Sequence, residues 1–459
     1  HFHFTGAMND PRTGPIINLP GIVLIARQRQ QANLPKAEAL FNDSPFNVYQ
    51  GPDHPELLII TSSIPWLYCL EARECLKLSS RVGILKLGTT WPLPERLLAE
   101  HLGRSERVLV VEETLPFLED AIQALTARLG RSVGRTTFFG KHDSLLPTVG
   151  ELSPEILFET LTRLMDLPRY QPVPSWYREE AEQHASFAPP RTLTLCPGCP
   201  HRASFWSITT VLQLENTDGF VCGDIGCYSM AALPTGFSSL KTLHSMGSGL
   251  GLACGFGQLR PFGLEQSVVA VCGDSTFFHA VMPALVNAIH NQADCTLIVL
   301  DNSGTAMTGF QAHPGLGSNA LGHEAPAVDI PAVCRAMGTK VAICDPFDLR
   351  DTQETLSDVL ENQRGVRVVV LRQICALSPE KKQRPPVKPS VNPERCLGES
   401  CGCNRLCTRI FKCPGLIWDP QTRTASIDTV ICTGCGVCLS ICPAGAIVSS
   451  QEQHLEQEP

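Results

Sequence analysis

Residues 267–302 read SVVAVCGDSTFFHAVMPALVNAIHNQADCTLIVLDN, and this stretch decides the fold. SVVAVC and TLIVL are short apolar runs rich in β-branched residues, the pattern of strands buried on both faces. The segment TFFHAVMPALVNAIHN between them has room for a helix of about four turns. Strand, crossover helix and strand make a βαβ unit. Such a unit puts Asp274 and Asn302 side by side at the carboxyl edge of neighbouring parallel strands, where open α/β sheets bind ligands. Two oxygen ligands from these side chains, completed by phosphate oxygens and water, form the octahedral shell that Mg2+ demands, so a diphosphate is the natural third party. Taken alone, Asp274 as a turn residue or helix N-cap explains the Gly273-Asp274 step nearly as well.

Working outward, KVAICD and GVRVVVLRQ add further strands, which predicts a doubly wound sheet over 191–380. Met246-Gly247-Ser248-Gly249 supplies a glycine-rich turn opening a helix, suited to close approach by a diphosphate. Earlier, ELLIITSS, RVGILKLG and RVLVVEE alternate with the helical stretches EARECLKL and LEDAIQALTARLG, so a small parallel α/β domain is expected over 36–165. Residues 166–190, rich in proline and charge, read as a linker, and 381–390 as a Pro/Lys linker before a cysteine-rich tail at 391–459. Residues 1–35 are expected to be linker or remnant with no fold of their own, because Asn18, Pro20 and Gly21 interrupt the apolar run Ile16 to Ile25. This layout agrees with a length of 459 residues, enough for about three domains.

Hydrophobic residues make up 43% and charged residues 18% of the chain, ordinary globular usage, and no uninterrupted apolar run is long enough to span a bilayer. The net charge of −8 comes without a long basic run, so nucleic acid and anionic membranes are disfavoured as partners. HFHFTGAMNDPRTGP lacks the basic and apolar regions of a secretory signal, which predicts a cytoplasmic protein. In a reducing cytoplasm the 21 cysteines are not a disulfide framework. Their clustering between Cys396 and Cys442 points to metal.

Within the tail, Cys432-x2-Cys435-x2-Cys438-x3-Cys442-Pro443 matches the bacterial ferredoxin run of four thiolates, the fourth of which ligates the other cluster of a pair. The partner run is stretched: Cys396, Cys401, Cys403, Cys407 and Cys413-Pro414 offer five thiols for four positions. By the cross-over rule Cys413 completes the cluster of Cys432, Cys435 and Cys438, while Cys442 joins Cys407 and two of Cys396, Cys401 and Cys403. A ferredoxin-like α+β domain with two 4Fe–4S clusters is expected, with a zinc ribbon as the alternative.

A further cysteine set, Cys196-Pro197-Gly198-Cys199-Pro200-His201 and Gly223-Asp224-Ile225-Gly226-Cys227, resembles the thiamine-binding part of 2-oxoacid:ferredoxin oxidoreductases. The resemblance implies a third 4Fe–4S cluster on Cys196, Cys199, Cys227 and Cys375. The alternative is a tight turn with inert buried thiols and His201 near the diphosphate. Together with GDSTFFH, TAMTG, HPG and VICTGCGVCLSICPAGAI, these motifs make residues 36 to 446 similar to large (alpha) subunits of indolepyruvate ferredoxin oxidoreductases. SPFN, the PLPE turn and VVEE fit that family's transketolase-C-like segment. The Gly-Asp…Asn spacing resembles the thiamine-diphosphate signature, with Asp274, Asn302 and the carbonyl of Gly304 as Mg2+ ligands and Ser275 where the family has Gly.

What the resemblance implies is the oxidative decarboxylation of an arylpyruvate, indole-3-pyruvate to indole-3-acetyl-CoA and CO2. Thiamine diphosphate supplies the chemistry, clusters pass electrons to ferredoxin, coenzyme A takes the acyl group, and a small (beta) subunit is the partner. No side chain of this chain is identified as catalytic. The family's pyrimidine-binding domain, with its glutamate, has no room before Glu56. It is therefore expected on a separate chain or lost by truncation, or the protein is no enzyme by itself; HFHFTGAMNDPRTGP, unlike the family's sequence at that point, favours truncation or a foreign leader. An iron–sulfur electron-transfer subunit without turnover of its own is the alternative function.

Overall fold

The computed structural model describes residues 17–168, 170, 174–185, 187–188, 192–214, 218–361, 364–378, 387–400 and 405–449. The chain forms two units, His1–Ala188 and Pro189–Pro459.

In the first unit α1 (Pro20–Asn42) precedes β1 (Val48–Gln50), β2 (Leu57–Thr61), α2 (Pro65–Cys75), β3 (Val82–Lys86), α3 (Glu95–Leu102), β4 (Arg107–Val111), α4 (Phe117–Leu129), β5 (Thr137–Phe139) and α5 (Pro154–Leu164). The strands lie in the order β1-β3-β2-β4-β5. Alternation along β2 divides the core: Leu57 and Ile59 pack with α2 and α5, while Leu58 and Ile60 pack with α3 and α4.

The sheet is not wholly parallel as expected, because β1 pairs antiparallel with β3. At three residues, this edge strand is too short to leave a periodic signal. Helix α1 also departs from expectation. Pro20 opens the helix instead of breaking it, since proline's missing N–H is tolerated in a first turn, and the Arg, Gln, Ala and Leu residues that follow are good helix formers. None of its residues is buried. The stretch expected as linker carries α6 (Ser175–Ala185), likewise without buried residues.

The second unit contains α7 (Pro200–Leu214), β6 (Phe220–Cys222), α8 (Ser248–Phe256), β7 (Val268–Gly273), α9 (Asp274–Thr276), a π turn (Phe277–Val281), α10 (Met282–His290), β8 (Cys295–Asp301), α11 (Ile330–Ala336), β9 (Lys340–Cys344), α12 (Leu349–Glu361) and β10 (Val366–Arg372). Its five strands run parallel in the order β6-β7-β8-β10-β9. Ala270, Leu297 and Val368 pack against α8, α10 and α11, and Val269, Ile298 and Val369 against α7 and α12. The sheet is doubly wound, as the alternating pattern predicts.

The tail folds as two small antiparallel sheets, β11 (Pro389–Val391) with β14 (Ile447–Ser449) and β12 (Leu416–Asp419) with β13 (Thr424–Ile427). Its core is shared with the sheet domain, for Phe411, Leu416, Val437, Cys438 and Ile441 pack with Ala203 of α7 and Leu349 of α12. Trp206 of α7 meets the ring of Phe411 edge-on at 5.6 Å. No helix among the described residues is long and apolar enough to cross a membrane.

Candidate functional site

Strands β7 and β8 are hydrogen-bonded neighbours, with Gly273 opposite Leu300, so Asp274 and Asn302 emerge together at the carboxyl edge. Both are buried. Asp274 Oδ1 accepts from Ser275 N at 2.7 Å, and Oδ2 accepts from Gly304 N at 3.1 Å, which ties the strand end to the loop after Asn302. Nε2 of His313, also buried, lies 3.3 Å from Asp274 Oδ2, at ion-pair distance although the angle makes no hydrogen bond. The Gly304 carbonyl accepts from Ala306 N at 2.9 Å and retains a second lone pair.

Asn302 Nδ2 lies 3.3 Å from His201 Nε2. Burial pushes the His201 pKa down to about 4 against the pull of Asp274, so the imidazole is neutral. The Asn302 amide thus meets the imidazole through its nitrogen. His201, Asp274, Asn302 and Gly304 line one cavity with Cys227 and Met246.

The glycine-rich turn reaches this edge through a residue that the sequence reading used only for its cysteine neighbour. Asp224, just past β6, accepts from Gly247 N at 2.8 Å and from Ile225 N at 2.6 Å. Gly247 has φ +89°, and a Cβ there would sit 2.3 Å from the Ala280 side chain, so glycine is required on both counts. Ser248 begins α8 and its own N–H donates to the Ser245 carbonyl at 3.0 Å; the N–H groups that follow in a first turn are the ones a helix leaves unpaired. The other Asp224 oxygen, Oδ2, is buried with no hydrogen-bond partner among the described residues. Burial raises the Asp224 pKa, and the amide bonds from Gly247 and Ile225 oppose the rise. The repeated Gly-Asp step, at 223–224 and 273–274, was the signal for this residue: each closes one of two adjacent strands. His313 likewise lay in plain view within HPG.

The thiols form three groups. Cys375 is held next to Asn302, because its N–H donates to the Asn302 carbonyl at 3.0 Å. Burial pushes Cys199 up to about 12, with Cys196 and Cys375 adding to the rise. Burial also raises Cys227, again with help from Cys375 and Cys196, so Cys199 and Cys227 share the same two thiol neighbours. In the tail, Cys413, Cys432, Cys435 and Cys438 line one cavity together with Gly198 of the CPGC turn. Burial, reinforced by Cys435, Cys432 and Cys413, takes Cys438 up to about 12. Cys396, Cys407 and Cys442 line another cavity. Cys401 and Cys403 lie outside the described residues. Among the described residues no three His, Cys, Asp or Glu side chains are grouped tightly enough for a single ion. The thiols of the tail surround cavities instead.

Residues 224–371 match the thiamine pyrophosphate enzyme C-terminal TPP binding domain, and residues 425–448 match the 4Fe-4S binding domain. Indolepyruvate oxidoreductase subunit IorA of Pyrococcus horikoshii is 35% identical over 435 residues, covering 90% of this chain and 64% of that protein. IorA of Methanothermobacter marburgensis is 36% identical over 436 residues, covering 94% and 66%. Over about nine tenths of its own length the chain is thus similar to IorA subunits. It spans just under two thirds of the length of these IorA subunits. A 2-oxoglutarate:ferredoxin oxidoreductase from Magnetococcus marinus aligns at 19% identity over 41% of this chain and 67% of that one, with a TM-score of 0.36, too low to add to the argument. The doubly wound sheet thus carries a thiamine-diphosphate-binding domain and the tail an iron–sulfur domain.

Proposed function

We propose that the chain is the cofactor-bearing subunit of an oxidoreductase that converts arylpyruvates, indole-3-pyruvate above all, with coenzyme A to the acyl-CoA and CO2, and delivers the electrons to ferredoxin. The observation that carries this reading is the bond from Cys375 N to the Asn302 carbonyl, which joins the cation edge to the first thiol set. Bound thiamine diphosphate supplies the decarboxylation chemistry.

The chain's own residues hold and orient. Asp274, the Asn302 oxygen and the Gly304 carbonyl are the protein ligands for Mg2+, and Gly273 and Ser275 shape the turn that carries Asp274. Gly247 and Ser248 offer the start of α8 to the diphosphate. His201, neutral and facing Asn302, fixes that amide without adding charge. Cys196, Cys199, Cys227 and Cys375 hold a first cluster, and Cys413, Cys432, Cys435 and Cys438 a second. Cys396, Cys407 and Cys442 hold a third, with either Cys401 or Cys403 as its fourth ligand. Thiolate ligation releases the thiol protons, among them those of Cys199, Cys227 and Cys438, which burial makes harder to remove. Turnover requires partner chains: a small subunit, ferredoxin, and a chain or segment that binds the pyrimidine.

Iron and sulfide analysis of protein purified without oxygen tests the reading. About twelve irons per chain are expected, whereas about eight would remove the cluster at Cys196. Zinc in place of iron would overturn the proposal. Iron-replete protein that fails to oxidise arylpyruvates with any companion subunit would leave an electron-transfer subunit instead.

A further inference from the structure

Arg202 follows the CPGCPH motif and is 1% exposed, and the functional reading gives it no part. Its guanidinium donates only to neutral acceptors. Nη2 reaches the Leu195 carbonyl at 2.6 Å and Thr194 Oγ1 at 3.0 Å; Nη1 reaches the Phe411 carbonyl at 2.9 Å and the Thr235 carbonyl at 3.3 Å. Nε is buried with no partner, and no carboxylate pairs with the side chain among the described residues. A buried cation without a counter-charge is strongly unfavourable, so something anionic must face it.

The geometry names what does. Leu195 immediately precedes Cys196, and Phe411 stands two residues before Cys413, so one guanidinium ties together the backbones that lead into two thiol sets. Phe411 ends a π turn (Leu406–Phe411) bounded by left-handed Arg405 and Lys412, a local shape that delivers its carbonyl to Arg202. The acidic groups acting on the guanidinium are the thiols of Cys413, Cys199, Cys196 and Cys435, two from each set. Gly198 of the same turn lines the cavity of the tail set.

We propose that Arg202 is a positioning residue that bridges two anionic clusters, the one on Cys196, Cys199, Cys227 and Cys375 and the one on Cys413, Cys432, Cys435 and Cys438, and raises the reduction potentials of both. This rests on the cluster assignment above. Four thiolates outweigh the charge of a 4Fe–4S core, so each site is negative and becomes more so on reduction. A fixed cation between them favours the reduced state of each and offsets their mutual repulsion; net charge and hydrogen bonding are the levers that set such potentials. The set of Cys396, Cys407 and Cys442 does not face Arg202 and serves as an internal reference.

The test is a redox titration followed by electron paramagnetic resonance on the full chain, comparing wild type, Arg202→Gln and Arg202→Lys. Arg202→Gln should shift two of the three cluster potentials to more negative values and leave the third in place, and Arg202→Lys should restore both. Unchanged potentials in an iron-replete Arg202→Gln protein overturn the proposal, as does an equal shift of all three. If Arg202→Gln loses iron, Arg202→Lys decides: full iron supports the charge, and equal loss makes the residue a strut and overturns it. About eight irons in wild type would instead sink the cluster at Cys196. With one of its two clusters gone, the bridge would be overturned together with the assignment it rests on.

Discussion

The two units of this chain each contain a five-stranded sheet with helices on both faces, and the candidate site described above lies on the second. The difference lies in how each sheet's carboxyl edge is satisfied. In the first sheet β4 runs into Glu112, 6% exposed, whose oxygens accept from Leu118 N at 2.7 Å and Glu119 N at 2.9 Å. Glu119 in turn accepts from Lys141 N at 2.7 Å. The carboxylate caps the chain's own helix α4, and the edge closes on itself. In the second sheet Asp274 is also held by backbone amides, but beside it Asp224 Oδ2 is buried with no hydrogen-bond partner among the described residues, and the Asn302 amide meets His201 through its nitrogen. Function follows from what the edge residues leave open, and the fold alone does not decide it.

Three substitutions press on that contrast. Asp274→Asn should have the largest effect, because the amide carries less charge toward a cation and turns an N–H group against Ser275 N or Gly304 N. Mg2+-dependent binding of thiamine diphosphate, measured by equilibrium dialysis, should weaken by at least the roughly 10- to 100-fold that losing an outer-shell partner costs. Binding at wild-type strength would mean that the second edge is as closed as the first. Glu112→Gln should cost about 1–3 kcal/mol in urea unfolding of the first unit, because one amide of α4 loses its acceptor. The same dialysis should show cofactor binding untouched, and a parallel loss would erase the contrast.

The smallest effect concerns the buried histidines, His101 in the first unit and His201 in the second. Burial lowers the His101 pKa, with Arg104 adding to the effect. The unfolded chain therefore takes up a proton at a pH where the folded one does not. Stability attributable to His101 is present above its ordinary value near 6.5 and is lost as pH falls below it. His101→Phe, which keeps the ring against Tyr49 at a position now 4.4 Å between centroids, should flatten that acid slope. A slope identical to wild type would show that His101 protonates equally well in the folded state.

Much of this was legible in the sequence because it depends on short periods. The strand–helix–strand spacing fixes Asp274 beside Asn302 whatever surrounds it, and three thiols at two-residue intervals with a distal CysPro identify the iron–sulfur tail. Asp224 and His313 escaped because their neighbours Gly247 and Asp274 are distant in the chain and meet them only once the sheet has formed. Arg202 escaped for a different reason: nothing local distinguishes a buried arginine from a surface one. Helix α1 was missed because a proline and a glycine at its start look the same in sequence as a break, and because it has no buried face to impose a period.

The bond between Cys375 N and the Asn302 carbonyl, and the one from Gln373 N to the Asp301 carbonyl at 3.0 Å, extend the β8–β10 ladder beyond its last paired residues. These rungs cannot form until β10 has been synthesised and has slid between β8 and β9. Before that moment the emerging chain has Asp274 and Asn302 but no fixed place for Cys375. The place of Cys375 beside Asn302 is therefore a property of the finished sheet, set by strand insertion and by no local segment.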